Sequence, residues 1–206
     1  PLSATPEVIG QVGPQLTKDQ LLMDLTSLKK EPVTRMLKTS QAEVIGCHPL
    51  FGPQLKDVSG QNVILCPARG KKWLGWLKGV FKRSKMAVRE STPEKHDRMM
   101  AVVQALNHLD TMVLGLAIAR TGMALADIDK FSTPIFRIKM EMIRKVFMES
   151  PELYRDIVRG NPQTDKMLNI YEKALKDIRA VIRTRGKKES TEFVTKVAAK
   201  VHGRKN

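Results

Sequence analysis

The sequence predicts an α/β domain followed by an all-helical domain, and two observations support this fold class. In the first ninety or so residues, short apolar runs alternate with helical stretches and turn signals, the pattern of an open parallel α/β sheet. From Thr92 onward apolar residues recur at helical spacing, and almost nothing is typical of a strand. We therefore predict a parallel-sheet domain at residues 1–91 and a helical domain at residues 92–206.

The elements of the first domain follow from its apolar runs. Three runs bounded by turn residues are predicted as buried strands, and a fourth strand completes the sheet. They are Gln20–Ser27, Ala42–Cys47, Gln61–Pro67 and a segment near Lys85–Glu90. Helices are predicted at Pro6–Leu16, Pro32–Thr39 and Lys72–Phe81.

The second domain begins with a helix start at Ser91-Thr92-Pro93-Glu94, which combines a cap, a first-turn proline and an acidic residue. Further helices are predicted at Pro134–Met148, Pro151–Val158, Thr164–Thr184 and Ser190–His202. The first helix is apolar over more than a narrow stripe, and a domain of this size can hardly bury such a helix alone. A homodimer is therefore expected, with a central core helix of the monomer as the alternative.

Composition narrows the range of partners. The chain has 206 residues and a formal net charge of +15, but its basic runs match no nucleic-acid motif. A small anionic substrate and an anionic cofactor are the expected use of this charge, and no nucleic acid is expected.

No apolar run approaches the roughly 18 to 20 residues of a spanning helix, so no membrane contact is expected. Cys47 and Cys66 lack metal or redox spacing, which favours buried thiols in the cytoplasm and no metal.

His48 is the first candidate for catalysis. It lies in Gly46-Cys-His-Pro-Leu-Phe-Gly-Pro53, directly after a predicted strand, where open α/β sheets bind their ligands. A histidine held there by glycines and prolines is suited to act as an acid or base, and a structural histidine is the alternative.

The segment that follows the first predicted strand makes a similar transition from apolar to polar residues. Ser27 is a candidate hydrogen-bonding group for a cofactor or substrate, and Lys29 is a candidate contact for an anion. The alternative is a turn hydroxyl and a solvated lysine.

Five segments of the chain carry a resemblance to a known family, namely DLTSLKKEP from Asp24, GCHPLFGP from Gly46, EKHDRMMAVVQALNH from Glu94, STPIFRI from Ser132 and ESPELYRDI from Glu149. They occur in the order found in prephenate dehydrogenases, and the chain resembles the enterobacterial type of that family over nearly its whole length. The resemblance implies a partial Rossmann-like dinucleotide-binding domain followed by a helical dimerisation and substrate-binding domain.

The resemblance also implies a reaction, the NAD(P)-dependent oxidative decarboxylation of prephenate to 4-hydroxyphenylpyruvate in tyrosine biosynthesis. NAD is the expected cofactor and NADP the alternative. His48 then takes up the proton of the ring hydroxyl as a neutral imidazole, so activity is expected to fall at low pH. Ser27 matches the family serine between nicotinamide and substrate, and Lys29 matches a lysine near the same site.

Further site residues in the helical half are implied by the same resemblance. His108 matches a family histidine near the substrate, and Tyr154 matches an aromatic residue near the site, with a core tyrosine as the alternative. His96 precedes His108 by twelve residues, which is about 18 Å along one helix. We therefore expect His108 to contact the substrate and His96 to have a gating or structural role.

One departure from the family concerns the cofactor. The sequence contains no Gly-x-Gly-x-x-Gly turn, at which a dinucleotide fold meets the pyrophosphate. The opening residues resemble the end of a later strand of that fold, so Ser3, Thr5 and Pro6 are expected to contact the cofactor together with Ser27. Roughly ninety residues of the usual domain are then expected to be absent, and the chain as numbered is not expected to bind NAD well alone.

A second departure concerns the side-chain carboxylate of the substrate. The family usually has an arginine six residues before the proline of the Ser-Pro element, and here that position is Lys145. A lysine supplies charge without a two-pronged fork. Arg144 is about 100° away around the helix, whereas Arg137 is about 80° away and is the second candidate for this pocket. The substitution makes arogenate the competing substrate, and a non-catalytic dimerising relative is the further alternative.

Overall fold

The computed structural model describes residues 2–52, 54–183 and 186–203. The chain divides into two compact units, one that ends at Thr164 and one that begins at Asp165, and each is described by itself. In the first unit, helices of the C-terminal half pack onto elements of the α/β half. The domain boundary at residue 91 therefore stays a prediction.

A four-stranded sheet with the order β1-β2-β3-β4 forms the centre of the first unit. The strands are β1 (Leu21–Asp24), β2 (Glu43–Pro49), β3 (Asn62–Arg69) and β4 (Ala87–Glu90). β1 pairs with β2 and β3 with β4 in parallel, but β2 and β3 are antiparallel. The expected parallel sheet is thus corrected to a mixed sheet. The described residues between β2 and β3 contain no helix, and without such a crossover the chain returns alongside β2 in the opposite direction.

Three helices accompany the sheet, as the sequence predicts. They are α1 (Thr5–Val12), which continues as a 3₁₀ turn at Gly13–Gln15, α2 (Lys30–Thr39) and α3 (Lys72–Arg83). All four predicted strands are also present, and only their ends differ from the prediction.

The two faces of the sheet have separate cores, and β2 contributes to both. Val44 packs with residues of α1 and α2, whereas Ile45 and Cys47 pack with β3 and α3. Because side chains alternate along a strand, Gly46 and His48 share the face of Val44. The side chain of His48 therefore points away from the face of the sheet on which Ile45 and Cys47 pack against α3.

The C-terminal part of the first unit is helical. α4 (Pro93–Met100), a π-helical segment (Ala101–Leu106) and α5 (Asn107–Arg120) run as one continuous helix. The predicted start is confirmed, because the Thr92 side chain accepts a hydrogen bond from the Lys95 N–H. The elements that follow are α6 (Leu125–Lys130), α7 (Pro134–Arg144), a π-helical segment (Lys145–Glu149) and α8 (Pro151–Gly160). Only α6 was not predicted.

The second unit contains most of α9 (Thr164–Arg183) and α10 (Lys187–Val201), so both predicted helices are present. The predicted end of α9 at Thr184 lies outside the described residues. α10 begins before the predicted start at Ser190.

The continuous helix from Pro93 to Arg120 is long and apolar enough to cross a membrane by length and composition alone. Its 28 residues include a window of mean hydropathy 1.4. The sequence was expected to contain no segment long enough to span a membrane, because no uninterrupted apolar run is that long. This helix corrects that expectation, since its apolar residues are interrupted by polar ones. One such helix is a weak indication, because core helices of soluble proteins meet the same criterion.

Candidate active site

His48 lies near the carboxyl end of β2, and its side chain is buried. Its Nδ1 is 2.8 Å from Nε2 of His96 in α4. The two rings meet edge to face, with their centroids 5.0 Å apart. Two histidines that are 48 positions apart in the sequence therefore form one buried pair. His96 was expected to have a gating or structural role. In the structure it is the direct hydrogen-bond partner of His48, which that expectation did not include.

Asp97 continues this line of hydrogen bonds. Its Oδ1 is 2.8 Å from Nδ1 of His96 and also accepts the backbone N–H of Lys29 at 2.9 Å. Its Oδ2 accepts the backbone N–H of Lys30 at 2.9 Å. These amides belong to the start of α2, so the carboxylate lies at the positive end of that helix and satisfies donors that lack intrahelical partners. The Asp97 carbonyl accepts a hydrogen bond from the Asn161 side chain at 2.9 Å.

Burial and neighbouring charges set the ionisation of this cluster. Burial, assisted by His96 and Lys29, lowers the pKa of His48 to about 3, so its imidazole is neutral at neutral pH. Burial by itself raises the pKa of Asp97, but hydrogen bonds from His96 and from the two amides of α2 outweigh it and hold this pKa below its ordinary value. A neutral His48 is thus linked through one ring to an ionised carboxylate.

A second buried cluster lies at the end of β1. Lys29 is fully buried, and its Nζ forms an ion pair with the Asp24 carboxylate, which also accepts the Thr26 N–H at 3.0 Å. Burial lowers the pKa of Lys29, and Asp24 opposes this shift. The ammonium group of Lys29 is thus buried and paired with a buried carboxylate, and its contact with the substrate stays a prediction.

The residues predicted to contact the cofactor lie near one another. Ser3, Thr5 and Pro6 line a cleft of about 490 Å³ together with Leu28. Ser27 is half-buried and precedes Leu28 in the loop between β1 and α2. Thr5 also lines a neighbouring cleft of about 380 Å³ at the end of β1. The structure thus brings the predicted cofactor residues to one side of the β1–α2 loop.

His108 in α5 and Tyr154 in α8 contact each other. Their ring centroids are 4.7 Å apart, and the planes meet at 74°. Burial lowers the pKa of His108. Burial also raises the pKa of Tyr154, and Glu149 adds to this shift. Both residues predicted near the substrate therefore form one neutral ring pair.

The cations predicted for the substrate carboxylate lie on α7 and at its end. Lys145 is half-buried and begins the second π-helical segment, whereas Arg137 is exposed on α7. Arg144 is also exposed and forms ion pairs with Glu141 at 2.6 Å and with Glu149 at 2.7 Å. Within the described part of the chain, no hydrogen bond or ion pair joins Lys145 or Arg137 to the ring pair of α5 and α8.

Three residues of these clusters were not predicted from the sequence, namely Asp97, Asp24 and Asn161. Asp97 had a usable signal, because a His-Asp dipeptide in a capped first turn places a carboxylate beside an imidazole. Asn161 had none, because its partner is 64 positions away. Among the described residues, no group of three or more His, Cys, Asp or Glu side chains is arranged to hold a metal ion.

Two family models match this chain and together identify the class of protein to which it belongs. Residues 1–90 match the family model "Prephenate dehydrogenase, nucleotide-binding domain", and residues 92–198 match "Prephenate dehydrogenase, dimerization domain". These matches describe a nucleotide-binding α/β part joined to a helical dimerisation part. The chain belongs to the prephenate dehydrogenase family.

Individual relatives agree with this assignment. The chain is 32% identical over 179 residues to the T-protein of Haemophilus influenzae, which corresponds to 85% of this chain and 48% of that protein. It is 31% identical over 208 residues to a probable arogenate/prephenate dehydrogenase of Methanocaldococcus jannaschii, with 98% of this chain and 46% of that protein covered. The chain thus spans about half the length of these relatives.

A solved structure has the same fold. Prephenate dehydrogenase from Aquifex aeolicus, in complex with hydroxyphenyl propionate and NAD⁺, superposes with a TM-score of 0.82 at 24% identity. The match covers 100% of this chain and 74% of the other. At this identity the likeness establishes the fold, a Rossmann-like sheet followed by helices.

Proposed function

We propose that the protein to which this chain belongs oxidises and decarboxylates prephenate with NAD, and that His48 is its catalytic base. The observation that carries this proposal is the buried hydrogen-bonded line from His48 through His96 to Asp97. A buried polar cluster of this kind costs desolvation energy, and perturbed histidines near strand ends are typical of active sites. A neutral imidazole is also what proton uptake from a hydroxyl requires.

In the proposed reaction His48 takes up the proton of the ring hydroxyl while the C–H bond at the same carbon breaks with its electron pair. The nicotinamide supplies the acceptor for that hydride. The bond between ring and carboxylate then breaks, carbon dioxide leaves, and the electron pair of this bond makes the ring aromatic. His48 returns its proton to the oxygen, so no net proton is taken up or released.

We propose that Ser3, Thr5, Pro6 and Ser27 hold the nicotinamide end of NAD, with NADP as the alternative. The cleft of about 490 Å³ lined by the first three residues lies within the range of small-molecule sites. The hydroxyl groups of the three Ser and Thr residues suit a ribose or a carboxamide. These residues fit one end of a dinucleotide, and none of them is assigned to the pyrophosphate. The NAD⁺ in the Aquifex aeolicus relative supports the same cofactor.

For the substrate we propose contacts to His108, Tyr154, Lys145 and Arg137. The His108–Tyr154 pair offers a neutral ring surface with two polar tips. Lys145 is a better candidate than Arg144 for a carboxylate, because it is half-buried while Arg144 is exposed and engaged by two glutamates. A single ammonium group is also compatible with arogenate, and the name of the Methanocaldococcus jannaschii relative includes both substrates.

We also propose a homodimer formed through the helical part, which starts at residue 92. Large apolar side chains are exposed there, among them Phe131 at 89% and Ile135 at 72%. Patches of this kind mark protein contacts, and the matched family model is named for dimerisation. Light scattering on the wild type and on Ile135→Glu tests this proposal. A monomeric wild type would refute it.

A cytoplasmic location without nucleic-acid or membrane partners is part of the proposal. Two free cysteines, Cys47 and Cys66, are buried, and burial raises the pKa of each thiol to about 12. Protonated, unpaired thiols of this kind suit a reducing compartment.

The decisive experiment is an activity assay on the full-length protein with each substrate and each cofactor, followed by the absorbance of the reduced nicotinamide. We expect turnover of prephenate with NAD and loss of kcat by about 100-fold or more in His48→Asn. The control His202→Asn alters an exposed histidine after α10 and should retain full activity. Absence of turnover in the wild type, or an active His48→Asn variant, would contradict the proposal.

The same assay decides between prephenate and arogenate. If prephenate is the substrate, Lys145→Arg should lower its KM, because a guanidinium group binds a carboxylate with two hydrogen bonds. Faster turnover of arogenate than of prephenate would favour the second candidate.

A further inference from the structure

For a neutral His96 beside an ionised Asp97, the hydrogen-bonded line that ends at His48 has one consistent arrangement of protons. Asp97 is ionised, so its Oδ1 only accepts, and the Nδ1 of His96 must carry the proton between them. In a neutral His96, Nε2 is then bare and accepts. The contact of 2.8 Å between the two rings therefore requires a proton on Nδ1 of His48. In the neutral imidazole this leaves Nε2 of His48 bare.

We propose that His96 and Asp97 are positioning residues that hold His48 in the tautomer whose Nε2 is free to take a proton from the substrate. This inference rests on the proposed function, because that function makes His48 the base. The opposite tautomer would present an N–H to the hydroxyl group and would be unable to accept its proton.

Asp97, whose carboxylate sets this arrangement, is held by three hydrogen bonds in addition to its contact with His96. Both of its oxygens accept backbone N–H groups at the start of α2, from Lys29 and Lys30. The backbone carbonyl of Asp97 accepts a hydrogen bond from the side chain of Asn161, which lies directly after α8. Because neither oxygen is free to turn away, Asp97 presents a fixed acceptor to His96. The side chain of His96 is buried as well, so water does not compete for its ring nitrogens.

The same geometry supports the base after it has gained a proton. The imidazolium form of His48 keeps its Nδ1–H bond to His96, and the negative charge of Asp97 favours that form against the cost of burial. The nearby ammonium group of Lys29 disfavours the imidazolium, but its ion pair with Asp24 offsets part of its charge. Asp97 thus acts on the reacting nitrogen through His96 without contact to the substrate.

The tautomer can be read directly by nitrogen-15 NMR of the full-length protein labelled at histidine. Two-dimensional spectra distinguish protonated from bare ring nitrogens, and single His→Gln variants assign each ring. His202→Gln serves as the control, because it removes one signal from an exposed position. We expect His48 and His96 both to carry the proton on Nδ1. A proton on Nε2 of His48 would overturn the proposal, whether or not the protein turns over prephenate.

A pair of variants at His96 tests the consequence for catalysis. The amide oxygen of His96→Gln can accept the Nδ1–H of His48, whereas His96→Leu fills the space and accepts nothing. We expect kcat to fall by about 100-fold or more in His96→Leu and by less than about tenfold in His96→Gln, with KM nearly unchanged in both. Equal losses in the two variants would refute a role in fixing the tautomer. An inactive wild type would instead refute the proposed function and leave the NMR result as the test of the tautomer.

Discussion

Acidification should destabilise this protein through His48. The pKa of this histidine is lowered from 6.5 to about 3 by burial in the folded state. Between these values the unfolded chain binds a proton that the folded protein does not bind. The free energy of unfolding therefore falls as the pH decreases through this range.

The size of the effect follows from the two pKa values. With 6.5 for the unfolded chain, the loss between about pH 8 and about pH 5 is about 2 kcal/mol. This loss hardly changes for any folded-state pKa below about 4, because over this interval the unfolded-state pKa determines it. Partial exposure of the ring would reduce the loss, but His48 is only 3% exposed.

Urea unfolding of the wild type and of His48→Asn across this pH range measures the effect. The amide nitrogen of the asparagine replaces Nδ1 as a donor to His96, so the variant removes the titrating ring and keeps a polar partner. Other groups titrate in both proteins and cancel in the comparison. We expect the wild type to lose about 2 kcal/mol more than the variant on acidification. Equal losses would show that His48 is accessible to protons and would refute the lowered pKa of its buried ring.

Three further predictions concern the framework of the site. Asp97→Ala removes the acceptor for two amides at the start of α2 and should lower the free energy of unfolding by about 2–4 kcal/mol in urea; a loss below about 0.5 kcal/mol would contradict this role. Gly46→Ala should cost about 1–3 kcal/mol in the same assay, because its Cβ would lie 2.6 Å from a methyl group of α2. Gly75→Ala, where a Cβ meets nothing within 4 Å, is the matched control in helix α3 and should be neutral or stabilising. Lys29→Met leaves a buried carboxylate without its cation and should lower the free energy of unfolding by about 3–5 kcal/mol. The control Lys38→Met alters an exposed lysine of α2 and should change this free energy little. Equal thermal stability of the two variants would refute the buried ion pair.

Much of the fold was predictable because its determinants are local. Apolar runs bounded by turn residues predicted all four strands, and Thr92 with Pro93 predicted the start of the helical part. His48 was predictable as a site residue because its position after a strand is visible in a few neighbouring letters. These inferences depend on residues within a few positions of one another, where backbone preference and periodicity dominate.

The remainder depends on contacts between distant residues, which the tertiary structure alone decides. The antiparallel pairing of β2 with β3 follows from the path of a connection without a helix among its described residues. Lys29 was expected to meet an anion from outside, but packing against β1 buries it with Asp24, because a buried charge requires a partner. His96 was not assigned to His48, because only the packing of α4 against the sheet joins residues 48 positions apart. The sequence by itself therefore determined the elements and the candidate base, while tertiary packing determined which groups hold that base and set its ionisation.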